Sequence, residues 1–292
     1  MSTNYNNWEF ALFSAHIHHY LPAIAWQDHY GLYDKWKAYH RPRPFRTAQS
    51  WEDTAINELK GGRPKIICLY HLGLHGQIPR ILADRSVHFD ILMDEQVYLA
   101  QSDELQRMQQ EMQANGLTYQ YLMSSDPQVL LKIRSAVVEG RHVLVFADGN
   151  SGVSESRHKK VQIGFLENTI YVRTGIALIA YLLNIPVVPV THCSTDGLNQ
   201  LIFGTAICRR GDEGREVFIY RCMQQLYDFL ADEIRADPWR WECWGYLHEL
   251  NCYEIRDDNI TMPDTADIAA LRLTLRGREG YFYRKNFSYR WQ

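Results

Sequence analysis

The chain has 292 residues, 46% hydrophobic and 22% charged, with 31 Lys+Arg against 34 Asp+Glu and a formal net charge of −3. Those values exclude collagen-like, disordered and disulfide-scaffold chains. The balance gives no bulk attraction to nucleic acid, so no DNA partner is expected and any basic site is local. In chain order, the first fifty residues are aromatic and His-rich, and the opening MSTNYNN lacks the basic stretch of a signal peptide. Residues 10–27 carry no Asp, Glu, Lys or Arg, but three histidines and Pro22 interrupt them. They read as an amphipathic surface rather than a membrane span. RPRPF (41–45) cannot continue a helix and reads as a linker. Ser50-Trp51-Glu52-Asp53 resembles a capping box opening a short helix that Gly61-Gly62 ends.

From Lys65 the pattern alternates. KIICLY is a strand, HLGLHG a loop and IPRILADR a helix; HFDILMD (88–94) is a second strand. Residues 102–115 form a Glu-, Gln- and Met-rich helix stopped by Gly116, and LTYQYLM a third strand. Asp126-Pro127 opens a helix running to Val138, and HVLVFADG is a fourth strand with Asp148 at its carboxyl end. Residues 174–195 lack Asp, Glu, Lys and Arg too, yet Asn184-Ile185-Pro186 splits them into a buried helix (175–183) and a buried strand (186–191). A further strand is expected over 201–208 and a long amphipathic helix over 215–234.

Alternating strands and helices with apolar strands predict an α/β fold: a mixed, mostly parallel sheet flanked by helices. Three regions follow: an aromatic helical segment (1–49), the α/β domain (50–250) and a C-terminal extension (251–292). The extension ends YFYRKNFSYRWQ, aromatic interleaved with basic. A docked tail and an arm contacting a nucleotide-bearing partner both stay open for it. The protein is expected in the cytoplasm, with peripheral contact at the inner membrane as an alternative.

Several chemistries lack their residues. No GxSxG elbow, P-loop, GxGxxG or HExxH occurs. Six scattered cysteines, no two separated by two residues, suit a reducing compartment rather than a zinc ribbon. Cys68 lies three residues before His71, and on a strand such positions face opposite ways, so Cys68 reads as core. The strongest local signal is His71-Leu72-Gly73-Leu74-His75-Gly76, a histidine freed by a strand end to move protons.

Four blocks in order then carry a resemblance. They are HLGLHG, FADG ending at Asp148-Gly149, IGFLENTIYVRTGIALIAYLLNIPVVPV (163–190) and PWRWECWGYLHEL (238–250). Together they resemble the late acyltransferases of lipid A biosynthesis, of the lysophospholipid acyltransferase-like superfamily, over residues 64–250. The resemblance implies that fold and an acyl transfer from an acyl carrier protein or coenzyme A thioester. It makes His71 the general base and Asp148 the family's aspartate, with no metal and no cofactor.

The chain departs from the family where the His partner carboxylate belongs, since that position is Gly76. His75, Asp94, Glu155 and Glu167 are the candidates to replace it. An N-terminal anchor is also missing, and some forty residues are added at the C-terminus. An amine acceptor needs less base than a hydroxyl, so a small amine or hydroxyl compound joins lipid as an acceptor, and aminoacyl-tRNA joins the donor classes. Arg157, Lys159 and Lys160, with His158 between them, are the candidates to hold a donor phosphate. Two other readings stay open: a degenerate homologue that binds an acyl carrier or ligand without chemistry, and a hydrolase on the same scaffold.

Overall fold

The computed structural model describes residues 5–41, 50–51, 54–57, 59–60, 62–114, 116, 119–149, 160–195, 198–250, 252–253 and 268–292. In chain order the elements are helices α1 (Trp8–Tyr20) and α2 (Asp28–Tyr39), strand β1 (Ser50–Trp51), α3 (Thr54–Asn57), β2 (Ile66–Leu69), α4 (Ile78–Asp84) and β3 (Phe89–Met93). There follow α5 (Glu95–Ala100), α6 (Ser102–Ala114), β4 (Tyr121–Met123), α7 (Val129–Val138), β5 (His142–Phe146), β6 (Lys160–Phe165), β7 (Asn168–Arg173) and α8 (Gly175–Leu183). The chain closes with β8 (Val187–Thr195), β9 (Leu198–Phe203), α9 (Arg215–Ala236), β10 (Ala270–Leu275), β11 (Arg278–Tyr283) and β12 (Ser288–Trp291). Two compact units form: Arg43–Val161 with Val172–Leu230, and Met1–Pro42 with Gln162–Tyr171 and Ala231–Gln292.

The first of these, the sheet unit, is a mixed α/β layer. Its seven strands run β1-β9-β8-β2-β5-β3-β4, with β8, β2, β5, β3 and β4 all parallel. β9 is antiparallel to β8 and parallel to β1. Helices cover both faces, which is why β2 is buried at all four positions and reads as an unbroken apolar run. On one face Ile67, Leu69, Leu144, Phe89, Ile91, Val188 and Val190 meet Ile78, Ile81 and Leu82 of α4 and Ile56 of α3. Each such side chain contributes about 1.5–3 kcal/mol by leaving water. On the other face Tyr70 Oη donates to the Leu226 carbonyl of α9 at 2.8 Å, and Tyr227 Oη returns a bond to the Ala147 carbonyl at 3.2 Å. α8 ends at Asn184, left-handed at φ 49°, and Pro186 bars its continuation.

The second unit is aromatic. α1 is not an amphipathic surface: Phe10, Phe13, His16, Ile17 and Tyr20 are buried along one side, and Ala11 and Ala15 are buried on the other. Its neighbours are aromatic too, with Phe13 5.3 Å from both Tyr33 and Trp36, and Tyr20 5.4 Å from Phe165. β10, β11 and β12 form an antiparallel meander, so the C-terminal extension has a sheet of its own. This unit draws together α1, α2 and the C-terminal meander.

Several local expectations shift. Ser50 and Trp51 pair with Leu198 and Asn199 as a strand, and the helix begins at Thr54. Asp126 accepts the Gln128 amide at 2.8 Å in a turn before α7, rather than capping that helix. The strand expected at 201–208 is β9, ending at Phe203, and β6, β7 and α5 were not foreseen. RPRPF falls outside the described residues apart from Arg41. Among the described residues, no helix is long and apolar enough to cross a membrane.

Candidate active site

Register builds the site. β2 pairs with β5 at a constant offset, Ile66 with Val143 through Leu69 with Phe146, and with β8 from Ile66–Val187 to Cys68–Pro189. Carried two residues past the end of β2, the same offsets set His71 level with Asp148 on one side and His192 on the other. His71 and Asp148 follow the carboxyl ends of β2 and β5, where α/β sheets place ligands, and His192 lies level with them within the longer β8.

Asp148 holds His71 twice. Its Oδ2 accepts the His71 backbone amide at 2.9 Å, and its Oδ1 lies 2.8 Å from the His71 Nδ1. A carboxylate only accepts, so Nδ1 carries the proton and the basic lone pair is on Nε2. The Asp148 side chain is 1% exposed and that of His71 28%, so a buried carboxylate steers a partly open imidazole. The Phe146 ring lies 4.8 Å from the His71 ring, and the His75 ring 5.2 Å away and edge-on. A Cβ added at Gly149 would come to 3.9 Å from His71 Cε1, an ordinary van der Waals contact, so this residue borders the imidazole.

His192 is the residue that sequence reasoning missed. It is 1% exposed, and its Nε2 accepts the Leu74 amide at 3.0 Å, which puts its proton on Nδ1. It thereby ties the HLGLHG loop to β8. Gly73 turns that loop with φ 62°, and residues 75–77 form a short 3-10 turn leading into α4. The expected strand stopped at Thr191, one residue short of it.

The other candidates separate. His75 is half-buried beside His71 and Phe146. Asp94 caps α5 by accepting the Gln96 amide at 2.8 Å. Glu167 is exposed in the turn between β6 and β7, in the aromatic unit, and Lys160 opens β6. Glu155, Arg157, His158 and Lys159 lie outside the described residues. Gly76 has open space where a side chain would begin, and the carboxylate on His71 is that of Asp148. Cys68 is buried on the opposite face of β2, and burial pushes its thiol well above the usual range, so it is no nucleophile.

No protein-family model matches this chain, and no curated protein matches it either.

Proposed function

We propose that the protein is an acyltransferase with a lysophospholipid acyltransferase-like sheet, in which His71 is the general base and Asp148 its orienting carboxylate. The observation that carries this reading is the double hydrogen bond from Asp148 to His71 at the carboxyl ends of adjacent parallel strands. It supplies the carboxylate that Gly76 lacks, from a different strand. The four sequence blocks in family order supply the acyl-transfer class.

The chemistry follows from the tautomer. Nε2 accepts a proton from an amine or hydroxyl as its lone pair attacks the carbonyl of an acyl thioester. The buried carboxylate stabilises the imidazolium that forms. The carbon–sulfur bond breaks, the imidazolium returns its proton to the leaving thiolate, and an amide or ester remains. An acyl carrier protein or coenzyme A is the donor of first choice, with an aminoacyl ester on tRNA as the other activated donor. Peripheral membrane contact, and a lipid acceptor, belong to the same reading.

The test is intact-mass spectrometry of the purified protein with charged carrier proteins, acyl-coenzyme A and aminoacyl-tRNA, each with amine and hydroxyl acceptors. Donor discharge into a new product, lost in His71→Ala at unchanged thermal stability, is the expected result. Retained turnover in His71→Ala overturns the assignment of the base. Binding without discharge favours the carrier-binding homologue, and free acid without acceptor favours the hydrolase.

A further inference from the structure

The C-terminal meander has two unlike faces. On one, Leu271, Leu273 and Phe282 are buried, and Trp8 packs 5.3 Å from the Phe282 ring and 5.4 Å from that of Tyr289. The other is set by alternation and by register. Arg272 on β10 stands opposite Tyr281 on β11, and Tyr281 stands opposite Arg290 on β12. An aromatic ring therefore sits mid-sheet in a row between two guanidinium side chains, with strands about 4.8 Å apart. Arg272 and its neighbour Thr274 are exposed, and Tyr281 and Arg290 half-buried.

We propose that this face binds single-stranded nucleic acid, with Tyr281 as a stacking platform for a base and Arg272 and Arg290 as phosphate contacts. Charge complementarity argues for a polyanion. Apart from the buried Arg284, residues 270–292 carry five cations against one acid, Glu279, in a chain whose formal net charge is −3. Glu279 ion-pairs with Arg272, which lays that guanidinium along the sheet. An exposed pair of this kind is worth little and yields to a phosphate. The central aromatic argues for bases rather than a bare anion, because every base offers a flat face and flanking cations hold the backbone. A bilayer fits less well: this face carries no Leu, Ile, Val, Met, Phe or Trp to insert. The inference does not rest on the acyltransferase reading, since it needs only residues of the meander.

The experiment is fluorescence anisotropy of a labelled 12-nucleotide oligouridylate with the full chain, from low to physiological salt. Two phosphate contacts give a log–log salt slope of about −1.4. Tyr281→Thr, which keeps a strand-forming residue, weakens binding about fivefold or more, and Tyr281→Phe binds as the native chain. Arg272→Gln with Arg290→Gln flattens the salt slope, and this pair tests the site even where Tyr281→Thr does not fold. The proposal is overturned by no binding at low salt, or by an affinity that neither Tyr281→Thr nor the arginine pair alters. It is equally overturned if heparin, an acidic carrier protein or phosphatidylserine vesicles bind as tightly and Tyr281→Thr leaves that binding unchanged.

Discussion

Asp148 does the work of two groups. One oxygen fixes the loop backbone at His71 and the other fixes the ring tautomer. In Asp148→Asn an amide that both donates and accepts faces Nδ1, and the Nδ1–H tautomer loses its preference. Activity should fall by about 10²- to 10⁴-fold, the scale seen when an orienting carboxylate is lost. Nitrogen NMR of the His71 ring should show the proton on Nδ1 in the native chain and a tautomer mixture in the variant. An unchanged tautomer would remove Asp148 from this role, whatever the protein's substrate. His71 and Asp148 were legible one by one, as a histidine and an acid after apolar strands. Their contact was not, because 77 residues separate them and only the adjacency of β2 and β5 joins them.

At the scale of elements, the loop between β2 and α4 is held from the side by β8. Replacing His192 with Leu leaves the Leu74 amide without its acceptor, a loss of about 1–3 kcal/mol for a buried donor. Hydrogen exchange at Leu74 should then accelerate by tenfold or more. His192→Gln, whose side-chain oxygen reaches almost as far as Nε2, should keep most of the protection. Equal exchange in both variants would show that β8 does not hold the loop through this bond. Long apolar or periodic elements were readable: β2, β3, β5, α8 and α9 fall close to their expected bounds. Short polar strands were not. β10 to β12 alternate arginine with leucine and tyrosine over six residues or fewer, which resembles a charged tail until pairing supplies the second and third strands. α1 misled in the opposite sense. Its histidines looked like a wet face, yet His16 is buried between the Trp244 carbonyl and the Tyr253 hydroxyl at 2.8 and 2.9 Å.

For the whole molecule, such histidines set a dependence of stability on pH. Burial pulls His16 down to about 3. Burial likewise pulls His29 to about 4, with the Ile24 carbonyl opposing and Arg284 assisting. His29 lies in a buried relay in which Arg284 donates to Ser14 Oγ at 2.7 Å and Ser14 Oγ lies 2.6 Å from His29 Nδ1. A second positive charge on that relay would face the guanidinium, which is itself stacked 4.5 Å over Trp26. Both folded values lie below the ordinary 6.5, so the unfolded chain binds more protons between them. Their stabilisation is complete above about pH 6.5 and drains away as the pH falls toward 4 and then 3. At pH 5 each has lost up to about 2 kcal/mol. Urea midpoints should therefore drop between pH 7 and pH 5. A flat profile over that window would mean that these imidazoles are not held neutral.

The division of the chain has a consequence for its birth on the ribosome. Apart from residues 162–171, the sheet unit draws on one stretch that ends at Leu230, so its seven strands can all pair before the last sixty residues are made. The aromatic unit has the reverse history. α1 and α2 emerge first, while Trp241, Trp244 and Arg284, which Trp36, His16 and Ser14 contact by hydrogen bonds, emerge among the last. Those hydrogen bonds span more than two hundred residues, so the first two helices have only each other, through Phe10, Phe13 and Tyr33, until the later segments are made. The aromatic unit is therefore completed later in synthesis than the sheet unit, once the meander of β10 to β12 has been made.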